Sequence, residues 1–94
     1  MEQTLRTVDI IRQGYGTRYT GLPVDALDLD GFLIDCRTTY MRPELYDLRL
    51  GDQVRWLQNG RYQEGSIHVV ERTEQQLRVV LVDVILHEPE YSPY

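Results

Sequence analysis

The clearest pattern lies in the last half of the chain, where three successive β-prone runs rich in apolar residues are separated by turn signals. Leu50-Gly51-Asp52 reads as a turn into Gln53–Gln58, with Val54 and Trp56 facing one way and Arg55 the other. Asn59-Gly60 is a strong two-residue hairpin signal. Arg61 to Arg72 returns with Tyr62, Ile67 and Val69 apolar, and Gly65 within it suggests a bulge or tight bend. Glu74-Gln75 turns the chain into Leu77–Leu86. Three strands joined by short turns predict an antiparallel meander.

The last of these strands is apolar on both faces. Leu77, Val79 and Leu81 fall on one, and Val80, Val82, Val84 and Leu86 on the other, with polar residues only at Arg78 and Asp83. A strand with one wet face alternates more cleanly than this. It either crosses the middle of the core, swaps faces at a bulge, or has its second face covered by another subunit. Subunit cover is the expectation adopted for so short a chain. The tail His87–Tyr94, with two prolines and two tyrosines, cannot continue a central strand. It reads either as a frayed end or as an extended arm whose tyrosines dock on a neighbour.

The first half is less regular. Thr4 to Arg12 predicts a strand with Val8 and Ile10 apolar, and Gly14-Tyr15-Gly16 breaks it. Thr17 to Thr20 is a return strand closed by Gly21-Leu22-Pro23, and Pro23 belongs at a sheet edge or in a loop because it lacks an N–H. Val24 to Gly31 alternates acidic and apolar residues and ends in the turn dipeptide Asp30-Gly31, before a strand Phe32–Cys36 with Phe32 and Ile34 on one side. Arg37 to Leu50 predicts either a long loop or a short helix over residues 42–48, with Pro43 suited to its first turn. The whole describes an all-β, SH3-like small antiparallel barrel or sandwich: one domain over residues 1–86 and an arm over residues 87–94.

Composition narrows the function. Ten basic residues against 15 acidic ones leave a net charge of −5, a poor basis for replacing phosphate counterions. Arg6, Arg12 and Arg18 with Tyr15 and Tyr19 form a basic–aromatic group able to stack bases, but aromatic residues at hairpin positions more often pack across strands. Nucleic acid is therefore not the expected partner. Every basic residue is arginine, whose planar fork suits protein interfaces. Cys36 is the single cysteine, so no internal disulfide forms and a reducing compartment is the simpler assumption. No run nears the ~20 apolar residues of a membrane helix, and the N-terminus lacks a signal-peptide layout. The expected location is the cytoplasm, or a particle assembled there.

Candidate chemistry is sparse. Asp25, Asp28 and Asp30 before Gly31 suggest a calcium loop, but Ala26 and Arg37 occupy positions where the EF-hand pattern needs acids. Cys36, His68 and His87 lack the spacing of a zinc site. No nucleophile elbow, phosphate-binding glycine loop or paired carboxylates are recognisable. The expectation is a protein without an active site, metal or cofactor.

The segment Gly51-Asp52-Gln53-Val54-Arg55-Trp56, Asn59-Gly60-Arg61-Tyr62, Ile67-His68-Val69-Val70 and Leu77-Arg78-Val79-Val80-Leu81 resembles the closing half of small β-barrel proteins at tailed-phage head–tail junctions. The opening Val8–Gly21 is similar to the start of many of them. The resemblance implies a non-catalytic virion component working as a ring, either a head–tail connector or a capsid cement protein. It implies contact residues at Trp56 and Tyr62, although core packing competes for Trp56. Val80, Val82 and Val84 on the second strand face and Tyr91 and Tyr94 on the tail complete the expected interface, with Arg12 and Arg18 as polar contacts. The expected partners are further copies of the chain and other virion or assembly proteins.

Asp35-Cys36-Arg37-Thr38-Thr39-Tyr40 also stands where PilZ domains carry a cyclic-dinucleotide motif, Asp-x-Ser-x-x-Gly. Only Asp35 matches it, and Arg12 and Arg18 are spaced too widely for the usual arginine pair. A host SH3-like adaptor is the third alternative, because Gly-Asp-x-Val-x-Trp openings are common in such barrels.

Overall fold

A computed structural model describes residues 6–38, 41–58 and 60–87. The chain forms β1 (Arg6–Arg12), β2 (Gly16–Val24), β3 (Ala26–Asp28), β4 (Gly31–Asp35), β5 (Gln53–Gln58), β6 (Arg61–Arg72) and β7 (Gln76–His87). All pairings among the described residues are antiparallel, in one curled sheet of order β2-β1-β5-β6-β7-β4-β3. The fold is thus all-β and of the small-barrel type. Its two edge strands, β2 and β3, are consecutive in the chain and separated only by Asp25. Asp25 N–H donates to the Leu33 carbonyl (2.8 Å) and its carboxylate accepts from Asp35 N–H (2.6 Å). One bent stretch therefore pairs with β1 in its first part and with β4 in its second, which curls the sheet around its core.

The inner face carries Val8 and Ile10 of β1, Val54 and Trp56 of β5, Ile67 of β6, Leu77, Val79 and Leu81 of β7, and Phe32 and Ile34 of β4. These are the positions the period-two pattern selects, and β-branched and aromatic side chains fill a pleated surface well. The predicted meander is present as β5–β6–β7, with Gln58 pairing Arg61 across the first turn and Gly60 at positive φ. Pro23 stands opposite Thr7 on the edge strand β2, where its missing N–H faces no ladder. β2 continues past Gly21-Leu22-Pro23, so the return strand is longer than Thr17–Thr20.

The segment over 42–48 contains no α-helix. Pro43–Leu45 makes a single 3-10 turn, and the chain then extends so that Tyr46 and Leu48 are both buried, two residues apart. Arg72 donates to the carbonyls of Pro43 (3.1 Å) and Tyr46 (3.0 Å), which removes the need for helical partners.

The two-faced final strand has a local explanation at Val84 and Leu86, while Val80 and Val82 stay on the second face. Ser66 pairs with Val82 but Glu64 with Ile85, so β7 holds one extra residue there, and Asp83 sits at φ +55°. This bulge swaps the faces of the strand. Leu77, Val79 and Leu81 point inward before it; Val84 packs against the same core after it. Gly65 lies opposite the bulge, and a Cβ there would stand 2.9 Å from Val84 Cγ2. The bend suggested at Gly65 is therefore supplied by the neighbouring strand.

Candidate functional site

Among the described residues, the expected interface residues do not form one surface. Trp56 is 2% exposed and belongs to the core, because it shares the inward phase of Val54 on the same strand. Its indole N–H donates to Gln58 Oε1 (3.4 Å), so both its apolar body and its polar edge are engaged within the chain. Val84 is not on the face of Val80 and Val82, since the bulge turns it inward. Val80 and Val82 remain half-buried, opposite Val69 and Ser66 respectively. Tyr62 is exposed. Tyr91 and Tyr94 lie outside the described residues.

At the far end of the meander, Leu57, Tyr62 and Ile85 are exposed on the outer face and Leu86 on the inner one. Leu57, Tyr62, Ile85 and Leu86 are between 50% and 59% exposed. Leu57 pairs with Tyr62, one position beyond the inward Trp56, and both therefore face out. Ile85 pairs with Glu64 in the outward row that also holds Arg55, and Leu86 pairs with Gln63 in the row of Trp56. Leu57 was legible from alternation with Trp56 beside the Asn59-Gly60 turn. Ile85 was not, because its face depends on the bulge at Asp83.

Arg12 and Arg18 form a second group, and it is internal. Arg12 Nε and Nη2 donate to the two carboxylate oxygens of Asp52 at 3.0 and 2.9 Å, a bidentate fork, while Nη1 reaches Asp47 Oδ2 at 3.1 Å. Arg18 Nη2 donates to the same Asp47 oxygen at 2.7 Å, and Tyr19 Oη accepts from Asp47 N–H at 2.9 Å. Asp52, 3% exposed, also accepts from Arg49 N–H at 3.0 Å. Two strands and the 37–52 connection are thereby clasped together. Arg6 donates to the Leu27 carbonyl instead, so the basic–aromatic group of the sequence is spread over three places.

The clasp sets acid behaviour. Hydrogen bonds from Arg12 first and Arg18 second lower the Asp47 carboxyl from 3.8 to about 2. A depressed carboxylate stabilises the fold above its unfolded value and loses that contribution as pH falls through its folded value. Urea midpoints of the native chain are expected to fall between about pH 4 and pH 2 more steeply than those of Asp47→Asn. Equal slopes would show that Asp47 does not carry the effect.

A third place is a polar groove lined by Arg37, Arg42, Glu44, Arg72 and Glu74 beside the buried Cys36. Arg37 is held by its own neighbour Asp35, with hydrogen bonds of 2.6–3.0 Å that lower the Asp35 carboxyl. Arg72 is committed to the two carbonyls described above. Among the described residues no three His, Cys, Asp or Glu side chains gather as metal ligands. Comparison with protein-family models, with curated proteins and with solved structures returned no match.

Proposed function

We propose that this chain is a non-catalytic assembly protein, and that it serves as a component of a phage particle, a head–tail connector or a cement protein. The observation that carries this reading is the apolar end of the meander, where Leu57, Tyr62 and Ile85 are exposed on the outer face of paired strands. Isolated apolar side chains are ordinary on a surface, but a group on a rigid sheet marks a contact surface. Tyr62 supplies the amphipathic ring favoured at such surfaces. The resemblance of Gly51–Leu81 to junction proteins adds the biological setting. The PilZ-like alternative draws less support. Arg37, the basic residue within the Asp35–Tyr40 motif, is spent on Asp35.

Light scattering of the purified chain, alone and mixed with portal, capsid and tail proteins, tests this. Larger complexes are expected in at least one mixture. A Leu57→Ser/Tyr62→Ser double variant is expected to weaken that complex at least tenfold, with a stability change within about 1 kcal/mol. A chain that stays monomeric in every mixture and binds a cyclic dinucleotide would sink the assembly reading.

A further inference from the structure

β7 is paired on only part of its length on the β4 side. Gly31–Asp35 covers Gln76–Val80, and the Asp30 carbonyl accepts from Leu81 N–H at 2.9 Å. Among the described residues no strand pairs with that side of Val82–His87, while the other side is paired with β6 up to His87. Among the described residues the last half of β7 is thus an open edge of alternating N–H and C=O groups, and it carries the exposed Ile85 and Leu86. Such an edge is a template for strand addition.

We propose that the open edge of β7 pairs antiparallel with the same edge of a second copy, about a two-fold axis at Ile85. This rests on the assembly reading and assigns it a surface. The ladder phase supports the register. Leu81, an inward residue, directs its N–H to the β4 side. Beyond the bulge the inward residues are Val84 and Leu86, so their N–H and C=O groups face the open side and those of Ile85 face β6. With Ile85 opposite Ile85, Val84 of each copy meets Leu86 of the other as a hydrogen-bonded pair. Four backbone hydrogen bonds form, with no group misaligned.

The side chains fit the same register. On the outer face the row runs Arg55–Glu64–Ile85 and continues into Ile85–Glu64–Arg55 of the second copy. The two exposed isoleucines cover each other, while each Glu64 keeps its Arg55 partner at 3.4 Å. On the inner face Trp56–Gln63–Leu86 continues into Val84–Gly65–Val54. Leu86, half exposed in one copy, is laid against Val84 of the other, at the edge of its core. The charge and bulge at Asp83 end the pairing window on one side, as edge-guarding devices do. The window is short, so the dimer is expected to be concentration-dependent.

Sedimentation of the full chain over a range of concentrations, together with two variants, tests this register. Leu86→Pro removes an N–H that no strand among the described residues uses. It deletes two of the four intermolecular bonds and is expected to weaken dimerisation at least about tenfold while retaining the β signal in circular dichroism. Ile85→Cys places two thiols at a non-hydrogen-bonded pair, where Cα atoms stand about 4.5 Å apart, within disulfide reach. Oxidised glutathione, taking up the two electrons as two reduced glutathiones, is expected to link Ile85→Cys into a covalent dimer. The exposed control Leu57→Cys is expected to remain unlinked. A monomer at every concentration, or failure of Ile85→Cys to link faster than Leu57→Cys, would overturn the pairing. If portal, capsid or tail complexes still form in that case, the assembly reading stands and only this edge is excluded.

Discussion

Gly31→Ala is expected to cost on the order of 4 kcal/mol in urea unfolding, enough to leave a domain of this size largely unfolded. Two effects combine. Gly31 lies at φ +147°, which side-chain-bearing residues rarely adopt, and a Cβ built there stands 1.8 Å from the Val79 carbonyl oxygen and 2.9 Å from its carbon. The obstacle is backbone, so no rotamer change relieves it. Either β4 separates from β7, exposing Phe32 and Ile34, or the chain adopts another register. Gly51→Ala separates the two effects. That glycine is also at positive φ (+90°), with no atom near the added carbon, and should cost only about 1 kcal/mol. If both variants lose the same stability, the close approach of β4 to β7 is not what requires glycine at position 31.

The same residue shows where local sequence stops being informative. Asp30-Gly31 reads as a turn dipeptide, yet the turn residues are Leu29 and Asp30, and Gly31 already pairs with Val80. Asp28 closes the turn by accepting from the N–H groups of Asp30 and Gly31 at 2.8 and 3.2 Å. Glycine is needed because of a strand almost fifty positions later, which no local window contains. The meander was legible for the opposite reason: its partners are adjacent in the chain, its period is two, and a strong turn dipeptide sets the first register. The face swap at Asp83 was open to inference only as one account among three. Apolar side chains on both sides of a strand look alike whether a bulge or a subunit accounts for them. The candidate surface suffered accordingly, since Trp56 and Val84 turn inward while Leu57 and Ile85 take the exposed positions.

Asp52→Ala is expected to lower stability by about 3 kcal/mol, as removal of one partner from a buried ion pair does. Arg12 and Asp52 are both buried, and their two-point pairing spans forty positions of sequence. Removing the carboxylate strands the guanidinium with Asp47 alone. It also orphans Arg49 N–H, so the turn that leads into β5 loses its side-chain acceptor. Isolated ion pairs at a surface are worth too little for such an effect, so the size of the loss reports burial. The net worth of the pair is a separate quantity, because desolvating both charges offsets much of their attraction. An Arg12→Met/Asp52→Leu double variant, measured in the same urea experiment, is therefore expected to recover most of the loss seen in Asp52→Ala. A double variant as unstable as the single one would mean that the clasp supplies geometry which apolar packing cannot replace. Arg12 would then act as a structural bracket for the 37–52 connection. A loss below about 1 kcal/mol in Asp52→Ala would mean that water reaches the pair and that Arg12 is available to a partner after all.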